Sequence, residues 1–89
     1  MSDGKASRSL TMRFERATKR AFELPTCPSN EQLLEMYALY KQANDGDCEG
    51  KPRGGLRERA KWKAWKGVVG TTEADAMERY CEIVNTLMG

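Results

Sequence analysis

The stretch Tyr37-Ala38-Leu39-Tyr40-Lys41-Gln42-Ala43, followed by Asn44-Asp45-Gly46-Asp47, decides how this chain folds. Nothing in it breaks a helix before Gly46. On a helix of 3.6 residues per turn, Tyr37, Tyr40 and Lys41 stand at i, i+3 and i+4, so two phenols and an ammonium share one face. Leu33 and Leu34 extend the apolar part of that helix one turn toward its start. A tyrosine offers a stacking face and a hydroxyl, and a lysine supplies a point charge, so this face suits a flat ring carrying a phosphate. The same spacing also suits core tyrosines with wet hydroxyls.

Working outward, Ser29 and Gln32 form a capping-box pair that starts this helix at about Asn30. Upstream, Phe14, Ala17 and Ala21 repeat at helical spacing within a segment from Thr11 to Leu24, and Pro25 and Pro28 close it. Residues 1–9 are polar and are expected to form a flexible tail, leaving 10–89 as one domain. Downstream, residues 46–55 hold Gly46, Gly50, Pro52, Gly54 and Gly55 and predict a long loop. A third helix is expected from about Leu56 to Val68. Thr72, with Asp75 three residues on, caps a fourth that reaches Met88 and bears the stripe Met77, Tyr80, Val84 and Leu87. No segment alternates as a strand does. The expectation is an all-α fold of four helices, with the long loop freeing helix three to run parallel to helix two.

Composition narrows the function. The chain has 89 residues, a net charge of +2 and no histidine, which removes the commonest general base and metal ligand. Three cysteines, Cys27, Cys48 and Cys81, cannot all pair and form no Cys-x-x-Cys motif, as fits a reducing cytoplasm without a zinc site. Neither a signal peptide nor a membrane span is expected. From Lys51 to Lys66, seven basic residues stand against the single acid Glu58, with Trp62 and Trp65 between them. A solvated helix face would mix signs, so an anionic ligand explains this bias better.

YALYKQANDGD at 37–47, AKWKAW at 60–65 and GTTEADAMERY at 70–80 together resemble the acyl-CoA-binding protein family. Its pattern runs Tyr-x-x-Tyr-Lys-Gln-Ala, a Gly-Asp loop, Ala-Lys-Trp-x-Ala-Trp, and a last helix with Ala-Met-x-x-Tyr. The pieces occur in order, and the resemblance runs from Phe14 to about Leu87. It implies a four-helix up-down-down-up bundle that binds medium- to long-chain fatty acyl-CoA esters without catalysis, as an intracellular carrier and pool former. It further implies that Tyr37, Lys41 and Lys61 gather the 3′-phosphate and adenine end, that Tyr40 lines the groove, and that Tyr80 reaches the nucleotide from the last helix.

Phe22, Leu33, Leu34 and Ala38 are candidate acyl-groove or secondary contacts. No cofactor or metal is expected beyond the ligand itself. The expected partners are acyl-CoA esters, with transient contacts to acyl-CoA-using enzymes or membranes, and the chain is expected to be monomeric. Two departures bear on the ligand. Where the family carries a lysine near the end of helix one, this sequence has Phe22, with Lys19 and Arg20 nearby. The segment between Asp47 and Ala60 is also shorter than the family's and lacks its acidic and large apolar residues. A different reading makes the basic 51–66 segment, with Trp62 and Trp65, a nucleic-acid-binding module; the low net charge and the tyrosine-lysine helix count against it.

Overall fold

The computed structural model describes residues 6–89, so the first five residues of the expected tail lie outside the described residues. Four α-helices follow in order: α1 (Arg8–Arg20), α2 (Asn30–Asp45), α3 (Leu56–Lys66) and α4 (Glu73–Met88), with a 3₁₀ turn over Ala21–Glu23 after α1. No strand occurs among the described residues.

α1 begins three residues before the expected Thr11, and the reason is local. Ser7 accepts a hydrogen bond from the Leu10 amide and caps the helix, while Ala6 donates its amide to Glu73. Leu10 thereby joins Phe14 and Ala17 at i, i+4 and i+7, and all three are buried. At the other end the α-helix tightens into the 3₁₀ turn before Leu24 and the prolines, a common way to finish a last turn. The capping box of α2 forms in full: the Ser29 hydroxyl accepts from the Gln32 amide, and the Ser29 amide donates to the Gln32 side chain. Gly46 ends that helix at φ 82, in the left-handed region that glycine tolerates. In α4 Thr72 accepts from the Asp75 amide, and Glu73 and Asp75 place negative charge at the positive end of the helix dipole.

Pairwise contacts fix the helix directions. Leu33, Leu34 and Tyr37 of α2 share a cleft with Leu56, Ala60 and Lys61 of α3, and farther along Lys41 meets Trp65, so the two helices run parallel. Ala6 meets Glu73, and Arg20 meets Asn85, so α1 and α4 also run parallel. Gln32 lies beside Thr86 and Leu87 in a surface groove, whereas Gln42 bonds the Thr71 carbonyl, which makes α2 antiparallel to α4. The result is the up-down-down-up bundle.

The core lies where α2 and α1 meet α4. Leu39 and Val84 are fully buried, with Met36, Ala76, Met77, Tyr80 and Cys81 around them. α3 contributes no buried residue at all. What ties it down is polar and aromatic: the Trp65 indole donates to the Gly46 carbonyl at 2.9 Å. The long loop is anchored beside it, since Cys48 is buried and the Asp47 carboxylate accepts from Gln42 Nε2 at 2.7 Å and from the Gly70 amide at 2.9 Å. No helix among the described residues is long and apolar enough to cross a membrane.

Candidate functional site

The seam between α2 and α3 is built as two crossed pairs. The Lys61 ammonium of α3 sits 5.4 Å from the ring centre of Tyr37 on α2. One turn on, the Lys41 ammonium of α2 sits 4.9 Å from the Trp65 ring of α3. Each helix gives one cation and one aromatic, and parallel packing puts Tyr37 and Lys41, at i and i+4, level with Lys61 and Trp65, also at i and i+4. Lys41 also forms an ion pair with Asp45, one turn along its own helix. Its hydrogen bond to that carboxylate holds the ammonium above its ordinary pKa, against a smaller opposing effect of burial.

Two apolar clefts open on either side of α2. The α2–α3 cleft, about 580 Å³, is lined by Leu33, Leu34, Tyr37, Leu56, Ala60 and Lys61, among others. Lys61 stands toward one end of it, and Asn30 and Leu56 toward the helix starts at the other. The α1–α2 cleft, about 600 Å³, is walled by Phe22, Leu33, Met36, Tyr37, Tyr40 and Tyr80 with neighbouring small residues. Leu33 and Tyr37 belong to both clefts and form the ridge between them.

The floor of the α1–α2 cleft is aromatic. Phe14, buried beneath, meets Tyr80 edge to face with centroids 5.2 Å apart and Tyr40 at 6.0 Å, and the two tyrosine rings lie 6.4 Å apart. Tyr80 is buried, and desolvation raises its phenol pKa, with smaller contributions from Tyr40 and Cys81. The hydroxyl therefore stays protonated at neutral pH and available as a donor.

Of the candidates drawn from the sequence, Tyr37, Tyr40, Tyr80 and Lys61 line one or both clefts, and Lys41 stands on the adjoining seam. Phe22, Leu33 and Leu34 are also at the clefts. Ala38 is not: it is buried at 1% exposure and lines neither cleft. Its adjacency to Tyr37 in sequence carried it onto the candidate set, but successive helix positions are turned by about 100°.

Sequence reasoning missed Leu56 and Asp45. Leu56 is 90% exposed at the outer end of the α2–α3 cleft, and its place after Gly54-Gly55 was readable only as a helix start. Asp45 at i+4 from Lys41 was legible as an ion pair from spacing alone. Trp62 and Trp65 are half-buried, and Trp65 is engaged at both its ring and its nitrogen. No group of three or more side chains suited to hold a metal ion occurs among the described residues.

A small helical bundle that presents paired cations and tyrosines beside open apolar clefts is built to hold an amphiphile with an anionic head. The comparisons agree on which bundle this is. The sequence model of the acyl CoA binding protein family matches residues 11–84, and the chain belongs to that family. It is 43% identical over 77 residues to the acyl-CoA-binding protein of Saccharomyces cerevisiae, spanning 84% of this chain and 88% of that one. It is 44% identical over 78 residues to acyl-CoA-binding domain-containing protein 1 of Oryza sativa subsp. japonica, with 84% and 85% covered. Among solved structures, Oryza sativa acyl-CoA-binding protein 2 superposes with a TM-score of 0.83 at 40% identity, over 89% of this chain and 90% of that one.

Proposed function

We propose that this protein binds medium- to long-chain fatty acyl-CoA esters and holds them, chemically unchanged, as a carrier and pool in the cytoplasm. The observation that carries this reading is Tyr37, which is at once the partner of Lys61 and the shared wall of both apolar clefts. A ligand centred on that ridge can place its phosphate on the cationic seam and extend its two ends into separate clefts. In this reading Lys41, Lys61 and the Tyr37 hydroxyl take the 3′-phosphate, and Tyr40 and Tyr80 face the adenine. The acyl chain runs along the α2–α3 cleft past Leu33 and Leu34 toward Leu56. Burial of the chain supplies roughly 0.8 kcal/mol per methylene, and the phosphate contacts add charge-assisted hydrogen bonds.

The site offers donors and apolar walls but no nucleophile–base pair, which supports a role in binding rather than thioester cleavage. Family membership supports the same reading. We take the protein to act as a monomer that exchanges its ligand with acyl-CoA-using enzymes or membranes and makes no use of nucleic acid. Calorimetric titration against acyl-CoA esters of graded length, free coenzyme A and free fatty acid tests the proposal. Long-chain esters should bind far more tightly than either half alone, with the thioester intact afterwards. Equal affinity for free fatty acid and its coenzyme A ester would sink it.

A further inference from the structure

Phe22 is the most exposed large apolar side chain among the described residues, at 93%, and it stands at the lip of the α1–α2 cleft. Its exposure does not come from a loose backbone. The 3₁₀ turn that carries it is pinned on both sides: Ala21 packs against the core and Leu24 is half-buried. A phenyl ring held in water on an anchored turn forgoes the burial that ordinarily stabilises it. The same cleft also holds the opposite arrangement, with Tyr40 and Tyr80 packed against buried Phe14. The cleft thus combines a fixed aromatic floor with a free aromatic ring.

The lining of this cleft holds no charged side chain, whereas the cations stand on the other side of the Tyr37 ridge. A phosphate is therefore drawn to the seam, and the α1–α2 cleft is left for a flat, uncharged ring. We infer that Phe22 is a ligand-stacking residue: it closes over the α1–α2 cleft and stacks on the adenine against the Tyr40–Tyr80 floor. The inference rests on the acyl-CoA reading above and adds a named residue and a named part of the ligand to it. Base–aromatic stacking tolerates any flat π face but requires one, which separates it from plain apolar contact.

The test pairs two ligands and three variants. The ligands are a long-chain acyl-CoA and the phosphopantetheine ester of the same fatty acid, which lacks the adenosine together with its 3′- and 5′-phosphates. The variants are Phe22→Ala, Phe22→Leu and Phe22→Trp, none of which disturbs packing at a site so exposed. Phe22→Ala should weaken acyl-CoA binding by about ten-fold, or about 1.4 kcal/mol, and leave the phosphopantetheine ester unchanged. Phe22→Leu, with bulk but no π face, should recover little of the loss; Phe22→Trp should recover all of it. Equal losses for both ligands would assign Phe22 to the acyl chain and overturn the inference. Full recovery by leucine would overturn stacking, and no loss with alanine would show an idle ring. Failure of the unaltered protein to bind acyl-CoA would overturn the functional proposal as well, whereas binding that ignores Phe22→Ala defeats this inference alone.

Discussion

α3 and α4 are both amphiphilic segments of one small bundle, yet they are held by opposite means. α4 buries Ala76, Met77, Tyr80, Cys81 and Val84 against α1 and α2. α3 has no fully buried residue; it packs on α2 with half-buried Trp62 and Trp65 and is tied there by two cation–π pairs and one indole hydrogen bond. Dispersion and apolar burial are non-directional and collectively large, so α4 supplies stability. Cation–π and hydrogen-bond contacts are individually small and directional, so α3 supplies a positioned surface. The difference teaches that a cleft in so small a protein can stay open where one helix is less deeply packed and is tied by directional contacts in its second half.

The largest expected effect tests whether stability really sits on the α4 side. Leu39 is fully buried between α2 and α4, and Leu39→Ala should cost about 2–5 kcal/mol through lost transfer energy and the cavity left behind. Leu56→Ala, at 90% exposure on α3, should stay within about 0.5 kcal/mol of the unaltered protein. Urea unfolding of both variants checks this. Similar losses would mean that α3 is part of the core after all.

Next come the seam lysines, where the effect should move from stability to binding. Lys41→Ala or Lys61→Ala should weaken acyl-CoA binding by about ten-fold or more, since a charge-assisted hydrogen bond contributes roughly 1.5–3 kcal/mol. Lys63→Ala should do much less, because two helix positions turn a side chain by about 200°, away from α2. With the 3′-dephospho ester the Lys41 and Lys61 losses should largely vanish. Equal losses at all three lysines would point to a diffuse basic surface and erase the contrast between the seam and the rest of α3.

How much of this was legible beforehand follows the same division. The caps at Ser29 and Thr72, the glycine stop at Gly46 and the stripe of α4 are local signals, and the structure forms each of them. The start of α1 was missed because Ser7 has no glutamate or glutamine three residues on, and only the burial of Leu10 shows where the helix begins. Tyr37, Lys41 and Lys61 could be named from the sequence, but the crossed pairing could not. It depends on the register between two helices separated by a ten-residue loop, 46–55. The network of Gln42, Asp47 and Gly70 was invisible for a similar reason, since it ties the end of α2 and the start of the loop to Gly70, 23 residues beyond Asp47. Phe22 could be flagged as a departure from the family pattern; its exposure could not.

A smaller effect concerns the acid beside the seam. Asp45 holds Lys41 and presents a negative charge where a phosphate should arrive. Exposed ion pairs contribute about 0.2–1 kcal/mol, so Asp45→Asn should leave folding almost unchanged and tighten acyl-CoA binding by up to about five-fold. Titration of the variant checks this. Weaker binding would show that Asp45 orients Lys41 for the ligand rather than competing with it.

The smallest effect separates the tie of the loop from the tie of the core. Hydrogen bonds from the Gly70 amide and then from Gln42 hold the Asp47 carboxyl below its ordinary pKa. A folded-state pKa below the unfolded one means stability that is present above the unfolded value, near 4, and lost as pH falls through the folded value. Asp47→Asn keeps an acceptor oxygen at the same place but removes the charge. The variant should therefore be slightly less stable than the unaltered protein at pH 7, and the gap should close as the pH is lowered through the folded-state pKa of Asp47. Because the carboxylate is exposed, solvent screens it and the gap should be modest. Thermal melts of both proteins from pH 7 to pH 2 follow the closure. A gap that stays constant over that range would mean that Asp47 acts through shape alone, and that the loop before α3 is held by Cys48 and the Trp65 indole without help from charge.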